Sequence, residues 1–215
     1  NKYNEDRWNV EEILKTPDNS EIGYILEVDL KYPDNIKEKT KHFPFAPHSF
    51  YAPNDIQSDY QKSFDNKTKT KKLMCTQFDK ENYLIHYRNL KYYLSQGMEL
   101  TKVHSIIKFN QSSWMKSYID SNTEKRINGT SEFVKNIWKL LNNAVFGKTM
   151  ENLRNRRHIS LVTNAGEAIK IHSKPTYTSS TWFSETLLGI ETKQYTVILN
   201  KPIYVGFCIL ELSKL

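Results

Sequence analysis

Residues 139–152, KLLNNAVFGKTMEN, set a lysine, an asparagine four positions on, an alanine, an aromatic ring and a glycine on a stretch that otherwise has the spacing of a buried helix. Thr130 or Ser131 is suited to cap that helix, Glu132 stands where the positive end of the dipole favours a carboxylate, and Gly147 falls at the far end. The spacing therefore predicts a helix over 131–146. At about 100° per residue, Phe133, Val134, Ile137, Leu140, Leu141, Ala144 and Val145 share one broad side, the expected core face. Lys135, Lys139, Asn142, Asn143 and Phe146 gather opposite. A large ring gains nothing from water, so a ring among amines and amides suits stacking on a flat base with a phosphate held nearby. The plainer alternative is an ordinary solvated Lys139/Asn143 pair, with Phe146 packed on the segment that follows the helix.

The bulk properties narrow the classes. The chain has 215 residues, 38% apolar and 13% aromatic, which is enough for a core. Lys and Arg number 31 against 24 Asp and Glu, a net charge of +7 that favours polyanions, nucleic acid before membrane. Cys75 and Cys208 stand far apart with no Cys/His grouping, which speaks against a disulfide framework or zinc site and for a reducing compartment. No apolar run approaches the roughly 18 residues of a membrane span, and NKYNEDRWNV lacks the apolar centre of a signal peptide. An intracellular protein or fragment with no membrane partner is expected. VGFCILELSKL, from Val205, reads as an amphipathic helix that stops without a cap, the pattern of a truncated chain. The scattered histidines and glycines form no HExxH and no phosphate loop, against a metal hydrolase or P-loop NTPase.

Outward from the helix, residues 9–16 read as a short helix and 22–30, IGYILEVDL, as a strand ended by Tyr32-Pro33-Asp34. HFPFAPHSFYAP, with Pro44, Pro47 and Pro53, reads as an extended packed loop, and NKTKTKK (66–72) as a cationic loop, either solvated or in contact with phosphates. A helix is expected over 82–95, ended by Gly97, then a strand over 98–109 and a helix starting at 114–119. SNTEKRINGT (121–130) reads as a polar connector, and 158–163, 167–172 and 196–202 as strands. Helices and strands mix without a βαβ rhythm, which gives the α+β class.

Lys-x-x-x-Asn-Ala-x-Phe-Gly at 139–147 resembles the fingers-helix motif of family B DNA polymerases, KxxxN[S/A]x[Y/F]G, at every specified position. KTMEN, GYILEVDLKYP, NTEKR and WFSETLLGIE extend the likeness, over residues 22–215, to the protein-primed branch of viruses, linear plasmids and self-synthesising transposons. The resemblance implies fingers helices and a partial palm sheet of a right-hand polymerase with an inserted mixed segment. In those terms 1–30 is a palm-proximal segment, 31–97 an insertion touching the priming protein or duplex, 98–157 the fingers, and 158–215 strands and a helix returning to the palm. The implied activity is DNA-templated DNA synthesis in replication. Template-primer DNA and a terminal priming protein are the implied partners, in a nuclear, viral or transposon setting.

By the same resemblance Lys139 grips the triphosphate of the incoming dNTP, as a flexible point charge can. Phe146 packs on the nascent base pair, Gly147 admits the template strand to the backbone, and Asn143 supports the sugar, though a plain helix-surface role fits it nearly as well. Lys125 and Arg126 resemble a second cationic contact to the phosphates, with Arg126 preferred. Arg154, Arg156 and Arg157 are candidates to track the template backbone, and Lys69, Lys71 and Lys72 to face DNA, each against ordinary surface charge.

Nucleotidyl transfer of this kind uses two carboxylates holding two Mg2+ or Mn2+ ions. The family's first acidic motif runs DxxSLYP or DxNNLYG, whereas Asp29-Leu30-Lys31-Tyr32-Pro33 is two residues too short. Asp29 is expected instead to end its strand and cap the following turn. A YxDTDS hairpin is absent, as is any DxD. The chain thus reads as the interval between two acidic motifs, with no metal ligand and no activity of its own. The alternative is a non-catalytic DNA-binding remnant of a viral or transposon polymerase using the same basic and aromatic face.

Overall fold

The computed structural model describes residues 9–51, 58–63 and 71–215, so Lys69, Pro53 and most of the 66–72 loop lie outside the described residues. The fold is α+β, and the chain divides into two compact units, Asn1–Met115 with Leu210–Leu215, and Lys116–Ile209.

In the first unit, α1 (Val10–Lys15) is capped by the Asn9 side chain, which accepts from the Glu12 N–H. It is followed by β1 (Ile22–Lys31), α2 (Asp34–Thr40), β2 (His48–Phe50), α3 (Asp59–Ser63), β3 (Lys72–Met74), β4 (Lys80–His86), α4 (Tyr87–Ser95) and β5 (Glu99–Asn110). β1 is the centre of an antiparallel sheet ordered β4-β1-β5, and β2 pairs with β3. That sheet draws a strand from each of the segments 1–30, 31–97 and 98–157. Leu26, Val28 and Leu30 of β1 point to one face by the two-residue period and are almost fully buried against Tyr87, Leu90 and Tyr93 of α4.

The helix expected over 82–95 is a strand as far as His86. Tyr83 and Ile85 pair with Val28 and Leu26 and face the core, while Leu84 points to solvent; the tertiary pairing overrides the helical spacing. Gly97 does end α4: its φ of +102° allows the Gly97 N–H to reach the Leu94 carbonyl at 3.0 Å and the Met98 N–H the Tyr93 carbonyl at 3.1 Å.

Asp29 does not cap the following turn; Asp79 does, its carboxylate accepting from the Tyr32 N–H at 2.7 Å. Asp29 sits where the sheet is irregular on both sides. Opposite it, His104 and Thr101 are skipped in the β5 register and Asn82, with φ +50°, in that of β4. The Asp29 carboxylate accepts from the Asn82 N–H at 2.8 Å and from His104 Nε2 at 2.7 Å, and its carbonyl from Thr101 Oγ1 at 3.1 Å. One residue therefore gathers three bulged positions.

The second unit contains α5 (Lys116–Ile127), α6 (Glu132–Thr149), a 3₁₀ turn at Leu153–Asn155, β6 (His158–Val162), α7 (Ala165–His172), β7 (Tyr177–Ser184), β8 (Leu187–Thr192) and most of α8 (Ile203–Leu212). The connector expected over 121–130 is helical as far as Ile127. Residues 167–172 form a helix rather than a strand, because Asn164 caps it through the Gly166 N–H at 2.7 Å and Ile171 turns inward to Val162, Leu188 and Ile190. Residues 196–202 are not a strand. The third sheet comes from 177–192, a hairpin giving the order β6-β8-β7.

Candidate functional site

α6 begins as the sequence requires, with the Ser131 hydroxyl accepting from the Val134 N–H at 3.3 Å. It does not stop at Gly147 but runs on to Thr149, where the Thr149 hydroxyl bonds back to the Phe146 carbonyl at 2.7 Å. Gly147 is thus an interior helix residue.

α5 and α6 form an antiparallel hairpin joined by side-chain contacts. The buried Asn122 donates to Asn142 Oδ1 at 2.8 Å, and the Lys125 ammonium lies over the Trp138 ring, 4.7 Å from its centre. The expected orientation of α6 is therefore corrected. Asn142 belongs to the seam with α5, accepting from the buried Asn122 and donating to Thr123 Oγ1, while Phe133 (74% exposed) and Leu140 (65%) of the expected core face stand in solvent.

The cross-contacts fix which residues share a flank. Viewed down α6, its residues advance clockwise by about 100° each, while those of the antiparallel α5 advance anticlockwise. With Asn122 and Asn142 facing one another, Lys125 and Trp138 fall on one flank of the seam. Arg126, Lys139, Asn143 and Phe146 fall on the other. The pairings 122 with 142 and 125 with 138 also put Arg126 near the axial level of Lys139.

On that second flank Lys139 and Asn143 are exposed, and neither side chain has a hydrogen-bond or ion-pair partner among the described residues; Arg126 is likewise free. Phe146 is half-buried and lies roughly 10 Å, two turns, along the axis from Lys139. A Cβ placed on Gly147 would meet nothing within 4 Å. Three cationic or amide groups without a polar partner among the described residues thus share this flank with one half-buried ring.

The other predicted cations differ. Arg156 binds Glu151 at 2.7 Å and Arg157 binds Glu191, so both charges are balanced. Glu151 also takes Lys148 at 2.9 Å, and the hydrogen bonds from Lys148 and Arg156 hold its carboxyl down at about 2. Arg154 alone of the three arginines has a free side chain among the described residues. Lys71, over the Tyr51 ring at 5.6 Å, and Lys72, on β3, belong to the first unit, away in sequence from the hairpin. Sequence reasoning missed Trp138 and Asn122, because neither their neighbours nor their spacing marks them before the α5–α6 pairing is known.

Among the described residues no group of three or more His, Cys, Asp or Glu side chains is placed to hold a metal ion. No described helix is long and apolar enough to cross a membrane. No protein-family model, curated protein or solved structure matches the chain.

Proposed function

We propose that the Arg126–Lys139–Asn143–Phe146 flank binds the incoming deoxynucleoside triphosphate of a DNA-templated DNA polymerase, the chain supplying fingers and part of the palm. The observation that carries the reading is the set of free groups on one flank. Lys139 and Arg126 are unpaired near one level, the half-buried Phe146 lies about two turns away, and Gly147 has open space where a Cβ would go. An ammonium and a guanidinium suit phosphate oxygens, a ring edge suits a base, and a bare backbone suits a strand passing close. The motif likeness at 139–147 gives the same assignment. The described residues do not fit the divalent ions that the transfer requires, and no step of the chemistry is assigned to them. With Arg156 and Arg157 balanced, Arg154 is the arginine left to contact a DNA backbone.

The test is a dATP titration of the protein and its Lys139→Ala variant by calorimetry. Loss of a charge-assisted phosphate contact should weaken binding about tenfold or more, with Tm unchanged and primer-template affinity nearly intact. Equal affinity in the two proteins overturns the proposal. Equal loss of duplex binding instead favours a general DNA-binding remnant.

A further inference from the structure

We infer that Trp138 is a positioning residue. It holds the Lys125 ammonium on the flank of the hairpin away from Lys139, so that Arg126 is the second cation available to the triphosphate. The inference rests on the nucleotide-binding reading for its purpose, but its geometry stands apart from it.

Lys125 and Arg126 are neighbours on α5 and both are exposed, and the sequence prefers Arg126 without setting Lys125 aside. The fold separates them. A cation over an indole face is attracted by the ring quadrupole, and Trp is the strongest of the aromatic partners. The Nζ of Lys125 at 4.7 Å from the ring centre is within that range, and Trp138 is half-buried, which limits the water competing for the ammonium. Asn122 and Asn142 pin the register one turn away, since slipping either helix would leave a buried amide unpaired. With the register pinned and Lys125 committed to Trp138, the next residue on α5 is rotated by about 100°, onto the flank of Lys139. The contact also resists rotation of α5 about its own axis, which would carry Arg126 away from that level.

The closing experiment has two arms on the whole chain. In the first, dATP affinity is measured for Arg126→Gln, Lys125→Met, Trp138→Leu and Trp138→Phe beside Lys139→Ala. Arg126→Gln should weaken binding about tenfold, and Lys125→Met, which removes the same contact as Trp138→Leu, by about threefold. Trp138→Leu should cost about threefold, the factor of one partly exposed cation–π contact, and Trp138→Phe should recover most of it. A Lys125→Met loss equal to that of Arg126→Gln, or a Trp138→Leu protein that binds like the parent, overturns the inference.

The second arm needs no nucleotide. The Lys125 ε-methylene protons should resonate upfield through the ring current of Trp138, lose that shift in Trp138→Leu and keep it in Arg126→Gln. If Lys139→Ala leaves dATP binding unchanged, the nucleotide reading fails. The held cation is still confirmed or overturned by the proton shifts.

Discussion

Asp29 and Lys139 are both charged, both lie on regular elements within likenesses to polymerase motifs, and the fold treats them in opposite ways. Asp29 accepts from a backbone N–H and a histidine at an irregular point of its sheet, and its carbonyl takes a threonine hydroxyl. Lys139 has no partner among the described residues, nor has Asn143 one turn further. A polar group that its own chain satisfies is explained by folding. One left exposed beside a glycine that has open space at its Cβ position is better explained by something that binds.

The largest way to break the contrast is Asp29→Ala. It leaves the Asn82 N–H without its acceptor and the bulged His104 without its anchor, and should cost about 3 kcal/mol by urea unfolding. Lys139→Ala should stay within about 0.5 kcal/mol of the parent, as exposed positions do. If the two substitutions cost the same, the distinction between internal and external use collapses. The acid dependence carries a sign. Burial raises the Asp29 carboxyl, but the Asn82 N–H and His104 outweigh it and hold it below its ordinary 3.8. The folded state therefore binds that proton more weakly than the unfolded chain. The stabilisation is complete above about pH 4 and is lost as pH falls through the lowered folded value. Asp29→Asn should flatten that acid limb in a series of Tm measurements.

A second, smaller effect tests the far end of α6. A Cβ on Gly206 of α8 would collide with the Met150 side chain and the Thr149 hydroxyl at the end of that helix. Gly206→Ala should destabilise by about 2 kcal/mol through overpacking. Glycine here is demanded by a neighbour within the same unit.

These cases show why parts of the chain were legible in sequence. The β1 strand, the Gly97 stop and the Ser131 cap rest on local rules: two-residue alternation, a positive φ, a hydroxyl before a helix. Lys139, Asn143 and Phe146 share a flank because residues three and four apart fall on one side of a helix. What failed was set by partners distant in sequence. Residues 82–86 became a strand because β1 lay ready to pair with them. The serine- and threonine-rich 177–184 gave no apolar alternation, yet forms an edge strand against β8. The seam of α6 differs from its expected face because Asn142, bonded to the buried Asn122, rather than its leucines, meets α5. The use of Asp29 by three bulged neighbours is invisible before the register is known.

The smallest effect is the sharpest. Gly147 lies inside α6, with φ outside the left-handed region, and has open space where a Cβ would go. A glycine there costs a helix roughly 0.5–1 kcal/mol relative to alanine, because its backbone loses more freedom on folding. Gly147→Ala should therefore stabilise the protein by about that amount in urea unfolding, the opposite sign to Gly206→Ala. If the open backbone serves a passing template strand, the same methyl should weaken primer-template binding while Tm rises. A variant that gains stability and keeps its DNA affinity would remove Gly147 from the contact surface. A variant that loses stability would show that the space beside α6 is filled in solution, and with it the claim that the strip from Lys139 to Gly147 is left open by the fold.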